Sequence, residues 1–118
     1  HGVAYRDTAR GDGRDAAPRR DAGDAVRFGG EVDRIYLEAP PVLTLHDAAP
    51  DGAREVRVEQ AGFADTVVWN PGPALALADV EPEGWRRFVC VEAATVGRPV
   101  RLVPGERWVG VQRLVALR

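Results

Sequence analysis

An all-β fold, an antiparallel β-sandwich of short strands, follows from three features of the sequence. Eight or nine short apolar or alternating runs, rich in β-branched residues, recur at regular spacing. Turn chemistry separates them, from a chain holding 13 Gly and 9 Pro in 118 residues. No stretch carries the apolar period of a strong amphipathic helix. A chain of this length fits one domain, so residues 1–118 are read as a single unit.

In chain order, Val3 to Arg6 reads as a short strand. Asp7 to Asp24 has neither period and mixes charges of both signs, which predicts a solvated connection. Val26–Phe28 leads to Gly29-Gly30, a turn or bulge signal. Glu31 to Leu37 is a strand with Val32, Arg34 and Tyr36 on one face and Asp33, Ile35 and Leu37 on the other; Pro40-Pro41 closes it. Val42–Leu45 and Glu55–Glu59 form a hairpin, closed by His46-Asp47 and a Pro50-Asp51-Gly52 turn. Val56 and Val58 are its inward residues. Thr66–Trp69 is a short buried strand ended by Asn70-Pro71-Gly72. Pro73 to Asp79 is apolar but irregular, with room for a helical turn. Phe88–Glu92 and Pro99–Val103 are further strands, followed by a Pro104-Gly105-Glu106 turn. Arg107 to Leu117 alternates, with Val109, Val111, Arg113, Val115 and Leu117 on one face.

Composition narrows the function classes. The formal net charge of −2 offers no basic field for nucleic acid and no polybasic anchor for a membrane. No apolar run approaches the roughly 18 residues of a transmembrane helix. The chain has no Ser, which removes a serine nucleophile, and its single cysteine, Cys90, cannot form an internal disulfide. In its apolar context Cys90 reads as a packing residue. A cytoplasmic location is the default expectation.

The run from Phe88 to Ala94 is interrupted once, by Glu92. Its flanks favour a strand buried on both faces, on which Phe88, Cys90 and Glu92 share a side. A carboxylate there leaves water only with a partner or a task. On pattern alone two readings stand: a catalytic or binding group, or a strand end where Glu92 reaches solvent.

Further stretches join this run in order: Tyr5-Arg6-Asp7, GEVDRIY at 30–36, DTVVWNPG at 65–72, FVCVE at 88–92, PGE at 104–106 and WVGVQ at 108–112. The set resembles the C-terminal half of the glucose-6-phosphate 1-epimerases (hexose-6-phosphate mutarotases), relatives of the aldose 1-epimerases. The resemblance implies a galactose-mutarotase-like β-sandwich with the sugar held across one concave sheet. It implies interconversion of the α and β anomers of a hexose phosphate substrate, with no metal and no organic cofactor. It assigns Glu92 as the general base that takes the C1 hydroxyl proton while a histidine protonates the ring oxygen. A base partly shielded from water would suit that role. Asp33 becomes the acceptor of sugar hydroxyls, because an ionised carboxylate only accepts hydrogen bonds; the bland alternative pairs it with Arg34 or Arg27. Trp69 is read as core filling and Asn70 as a maker of local backbone bonds.

Two departures from the pattern matter. His1 does not match the family's catalytic histidine, and His46 reads as a surface turn residue. The arginines that hold the 6-phosphate in the family have no counterpart here, and Arg34 is not assigned to that role. The expectation is the C-terminal portion of a mutarotase sandwich, inactive alone, whose uncovered edges and apolar face invite self-association. Two alternatives remain: a non-catalytic carbohydrate-binding or interaction β-sandwich, and an aldose 1-epimerase acting on free sugars.

Overall fold

A computed structural model describes residues 2–13, 15–50 and 52–117. His1, and Asp51 of the expected Pro50–Gly52 turn, lie outside the described residues. The strands are β1 (Ala4–Asp7), β2 (Arg19–Arg20), β3 (Val32–Leu37), β4 (Val42–Ala49), β5 (Gly52–Ala61), β6 (Asp65–Asn70), β7 (Cys90–Ala94) and β8 (Val111–Ala116). Two short 3-10 helices, Thr8–Arg10 and Gly84–Arg87, are the helical structure among the described residues. One sheet runs β2-β1-β3-β6-β7 and the other β4-β5-β8, with every pairing antiparallel.

Alternation along β3 and β6 decides which face of the larger sheet is covered. Val32 and Tyr36 of β3 and Val68 of β6 are buried together, with Val3, Tyr5, Val26, Phe28, Ala39 and Val89 packed around them. From the other sheet Val58 is buried, opposite Leu43 of β4. Between the two layers lies a cleft of about 870 Å³, lined by Tyr36, Thr66 and Val68 on one side and Leu43, Leu45 and Val58 on the other. The sheets meet at a polar corner. The Gln60 side-chain amide donates to the Asp65 carbonyl (3.3 Å) and accepts from the Thr66 hydroxyl (3.1 Å). Gln112 of β8 donates to the Val91 carbonyl of β7 (2.9 Å).

The layers stay open. The radius of gyration is 15.7 Å, against about 13.5 Å for a compact chain of this length. Leu114 lies on the face of Val58 yet is 67% exposed, and Val111 on the other face of β8 is exposed too, as are Trp108 and Val109 before the strand.

Several expected elements differ. The 7–24 segment is not a plain connection: β2 pairs with β1, and Asp12 accepts two bonds from Arg19 (3.0 and 3.1 Å) and one from the Asp7 backbone (3.0 Å). That carboxylate folds the loop back on itself, a non-local bond that periodicity does not report. His46 is not in a turn, because β4 runs on to Ala49; it sits across from Glu55, with Nδ1 to Oε1 at 2.9 Å. The helical turn falls at Gly84–Arg87 and not within 73–79. Residues 99–103 form no strand, since Pro99 and Pro104 lack donors and no neighbour supplies a ladder. The last strand is confined to Val111–Ala116, where Val111, Arg113 and Val115 share the face of Ala61, Glu59 and Arg57.

Candidate active-site face

Residues directly opposite each other in paired strands lie on the same face of a sheet. In the larger sheet Asp33 stands opposite Trp69, and Trp69 opposite Cys90. In the neighbouring row Arg6 stands opposite Ile35, Ile35 opposite Val67, and Val67 opposite Glu92. Asp33 and Glu92 therefore share one face, turned away from the Val32–Tyr36–Val68 cluster. They sit two strands and two residues apart, roughly 12 Å between backbones by standard sheet spacing. Trp69 and Val67 of β6 make the floor between them.

The carboxylates differ in exposure. Asp33 is half-buried, and its backbone carbonyl accepts the Thr8 hydroxyl (2.9 Å). Glu92 is exposed, which corrects the expectation of a base shielded from water on a strand buried on both faces. The physical reason is position: β7 is the edge of its sheet, and its strand begins at Cys90, later than expected. Among the described residues no hydrogen bond or ion pair occupies either carboxylate. Arg34 is not the partner of Asp33. It points to the opposite face, with Nε 3.7 Å from Asp7 Oδ2, its guanidinium 4.7 Å over the Tyr5 ring, and an Nη1 bond to the Tyr36 hydroxyl (3.3 Å).

Trp69 does not fill the core. It is half-buried on the open face, with its ring 6.0 Å from that of Phe88. Cys90 shares this face, and burial, reinforced by the negative charge of Glu92, pushes its thiol above the usual range. That disfavours the reactive thiolate form. Tyr36 lies on the covered face and donates to Asp21 (3.0 Å); burial pushes its hydroxyl up to about 12, so it releases no proton near neutrality. Tyr5 shares that covered face, and His46 belongs to the other sheet.

Two residues at the ends of β6 carry more than sequence reading gives them. Asn70 does make the local bond, accepting from Gly72 N–H (3.0 Å), but it also donates to the carbonyls of Trp85 (2.8 Å) and Phe88 (2.7 Å). Asp65 accepts from the backbone of Glu38 (3.1 Å), Val96 (2.7 Å) and Gly97 (2.6 Å). The signal available for Asn70 was its being the one asparagine in the chain; Asp65 had none beyond its place in the DTVVWNPG stretch.

Among the described residues no three His, Cys, Asp or Glu side chains gather as a metal site, and no helix is long and apolar enough to cross a membrane. Comparison with known proteins agrees with the motifs. A protein of Cenchrus ciliaris named "Putative glucose-6-phosphate 1-epimerase" is 38% identical over 88 residues, covering 75% of this chain and 27% of that relative. The chain thus spans about a quarter of the length of the curated relative it matches. No solved structure matches the chain. The family model for aldose 1-epimerase matches residues 5–115, nearly the whole length, and with the all-β, two-sheet architecture this places the chain in the aldose 1-epimerase family.

Proposed function

We propose that this chain supplies the general base and a hydroxyl-binding carboxylate of an enzyme that interconverts the α and β anomers of a hexose 6-phosphate. The observation that carries the reading is the shared face: two carboxylates without partners among the described residues, Glu92 and Asp33, flank Trp69 and Val67 on the side of the larger sheet away from the cleft. The name borne by the Cenchrus ciliaris relative supports the phosphorylated substrate over a free sugar.

In this mechanism the sugar lies across β6. Glu92 takes the proton from the C1 hydroxyl as a proton is delivered to the ring oxygen. The C1–O5 bond breaks, giving the open-chain aldehyde. Rotation about C1–C2 presents the other carbonyl face, and the reverse transfers close the ring. Asp33 accepts hydrogen bonds from ring hydroxyls and fixes the sugar's orientation. Tyr5, Tyr36 and His46 are not on this face, and in this reading the proton donor and the phosphate ligands belong to the rest of a larger mutarotase sandwich, of which the match covers 27% in the relative. Residues 1–118 act as one unit of that larger sandwich.

The test is Glu92→Gln in the longest reading frame that carries these residues. Anomer exchange of glucose 6-phosphate is followed by polarimetry or NMR exchange, with free glucose alongside. A loss of about 10²–10⁴-fold is expected, the usual contribution of a general base. A variant within a few-fold of the parent would overturn the assignment, and faster exchange of free glucose would move the substrate to unphosphorylated sugars.

A further inference from the structure

The first and last residues of β6 are both buried polar side chains: Asp65 is 1% exposed and Asn70 is 2% exposed. Both reach out to segments that bracket β7. Asn70 holds the carbonyls of Trp85 and Phe88, ahead of the strand's first residue. Asp65 holds the N–H groups of Val96 and Gly97, just past its last. The strand between them is five residues long and lies at the edge of the sheet, paired with β6 alone.

Such a strand has little in its own sequence to fix its register. Cys90, Val91, Ala93 and Ala94 are small or apolar on both sides, so Glu92 is the one polar residue among the five. A slip by a single residue would turn every side chain to the opposite face. Glu92 would then leave the face of Asp33 and point toward the cleft between the sheets. The backbone clamps at the two ends forbid that slip. Asp65 does a second thing: its bond to Glu38 N–H holds the turn at the end of β3, the strand that carries Asp33, where Glu38 adopts a positive φ of 50°.

We infer that Asp65 and Asn70 are positioning residues, which pin β7 from both ends and so set Glu92 opposite Val67 on the same face as Asp33. The inference rests on the reading of Glu92 as the base, but the register itself can be measured without it.

The experiment uses Asp65→Asn and Asn70→Asp in the same reading frame, with Asn70→Ser as the milder change should either fail to fold. Asp65→Asn puts an amide donor against backbone donors, and Asn70→Asp puts an acceptor against carbonyls. The first arm is structural: NMR contacts between Val67 and Glu92 are expected in the parent and weakened or lost in the variants. The second is kinetic: kcat for anomer exchange is expected to fall by up to about 10²-fold, the scale for a misplacement of roughly 1 Å. With Asn70→Asp, whose side chain holds the carbonyls of Trp85 and Phe88 and not the turn after β3, KM should stay within about two-fold on the same reasoning. The third arm repeats both variants in a Glu92→Gln background, where no further loss is expected, because groups acting through one another are non-additive. Intact Val67–Glu92 contacts in folded variants, or the same fractional loss with and without Glu92, would overturn the inference. If Glu92→Gln alone leaves the rate unchanged while the contacts are lost, the role of Glu92 fails and the register clamp stands.

Discussion

Replacing Gly72 by alanine isolates what the last glycine of the WNPG stretch does. Gly72 has a φ of 63°, and a Cβ built there would lie 2.5 Å from Glu31 N and from Gly30 C, and 2.9 Å from Gly30 O. Two costs follow. A non-glycine residue in the left-handed region costs about 1–2 kcal/mol. The new methyl also meets backbone rather than a yielding side chain, and forcing extra volume into a packed site costs about 1–3 kcal/mol. The sum is about 2–5 kcal/mol. Gly11 provides the control: its φ is 81°, and nothing lies within 4 Å of the corresponding Cβ. Gly11→Ala therefore pays the conformational cost alone. The smaller entropy of an alanine-bearing unfolded chain enters both variants alike and cancels in the comparison. Urea unfolding should place the Gly72→Ala midpoint well below that of Gly11→Ala at unchanged slope, with about 1–3 kcal/mol between them. Equal destabilisation of the two variants would refute the argument. The contact at stake is functional as well as structural, since residues 30–31 lead directly into β3 and Asp33.

Asp33→Asn should raise KM for the sugar phosphate more than it lowers kcat, because a lost bond to a charged group costs about 1.5–3 kcal/mol, or about 10–150-fold in binding; unchanged KM and rate would return Asp33 to a purely structural role. Alkylation of Cys90 by iodoacetamide at neutral pH should run well behind that of a free thiol, since burial and the charge of Glu92 hold the thiol up; equal rates would refute this. The Arg19 hydrogen bond, aided by the Asp7 N–H, holds the Asp12 carboxyl down at about 2 against an ordinary 3.8. A depressed carboxyl contributes its stability in full above 3.8 and loses it as the pH falls toward 2. NMR titration should find that low midpoint in the parent and a higher one in Arg19→Gln, and a parent midpoint at 3.8 would refute the pairing.

The fold class was legible because alternation and turn chemistry are local. β3, the β4–β5 hairpin and β6 each announce themselves by period and flanking Gly or Pro, and each appears within a few residues of its expected place. What failed was decided by partners. Residues 99–103 have strand composition, but a strand exists only where a neighbour completes its ladder, and none does so there. His46 looked like a turn because His-Asp follows an apolar run; pairing with Glu55 carries the strand past it. The charged stretch after Asp7 is largely exposed, as its composition implies, but its β2 pairing and the bond from Arg19 to Asp12 went unread because that bond spans residues that no short period connects.

The site was legible in a different way. Face assignment needs parity along a strand, and parity follows from the sequence once a strand is granted: Asp33 had to oppose Arg34, and Glu92 had to side with Cys90. Whether the two acids share a face depends on the register across β6, which no single strand contains. β6 sets that register with the residues that close its own two ends, one acidic and one amide, each spent on the backbone of another segment. Their types are apt for the different ends. The stretch after β7 presents N–H groups and meets an acceptor, Asp65; the stretch before it presents carbonyls and meets a donor, Asn70. Exchanging the two would set an acceptor against the carbonyls of Trp85 and Phe88 and replace one of the two acceptor oxygens at position 65 by a donor. The polarity of the stretch from Asp65 to Asn70 is thus a requirement of the fold around Glu92. That requirement explains why an asparagine stands beside a tryptophan at the end of a strand whose middle is Val67-Val68-Trp69.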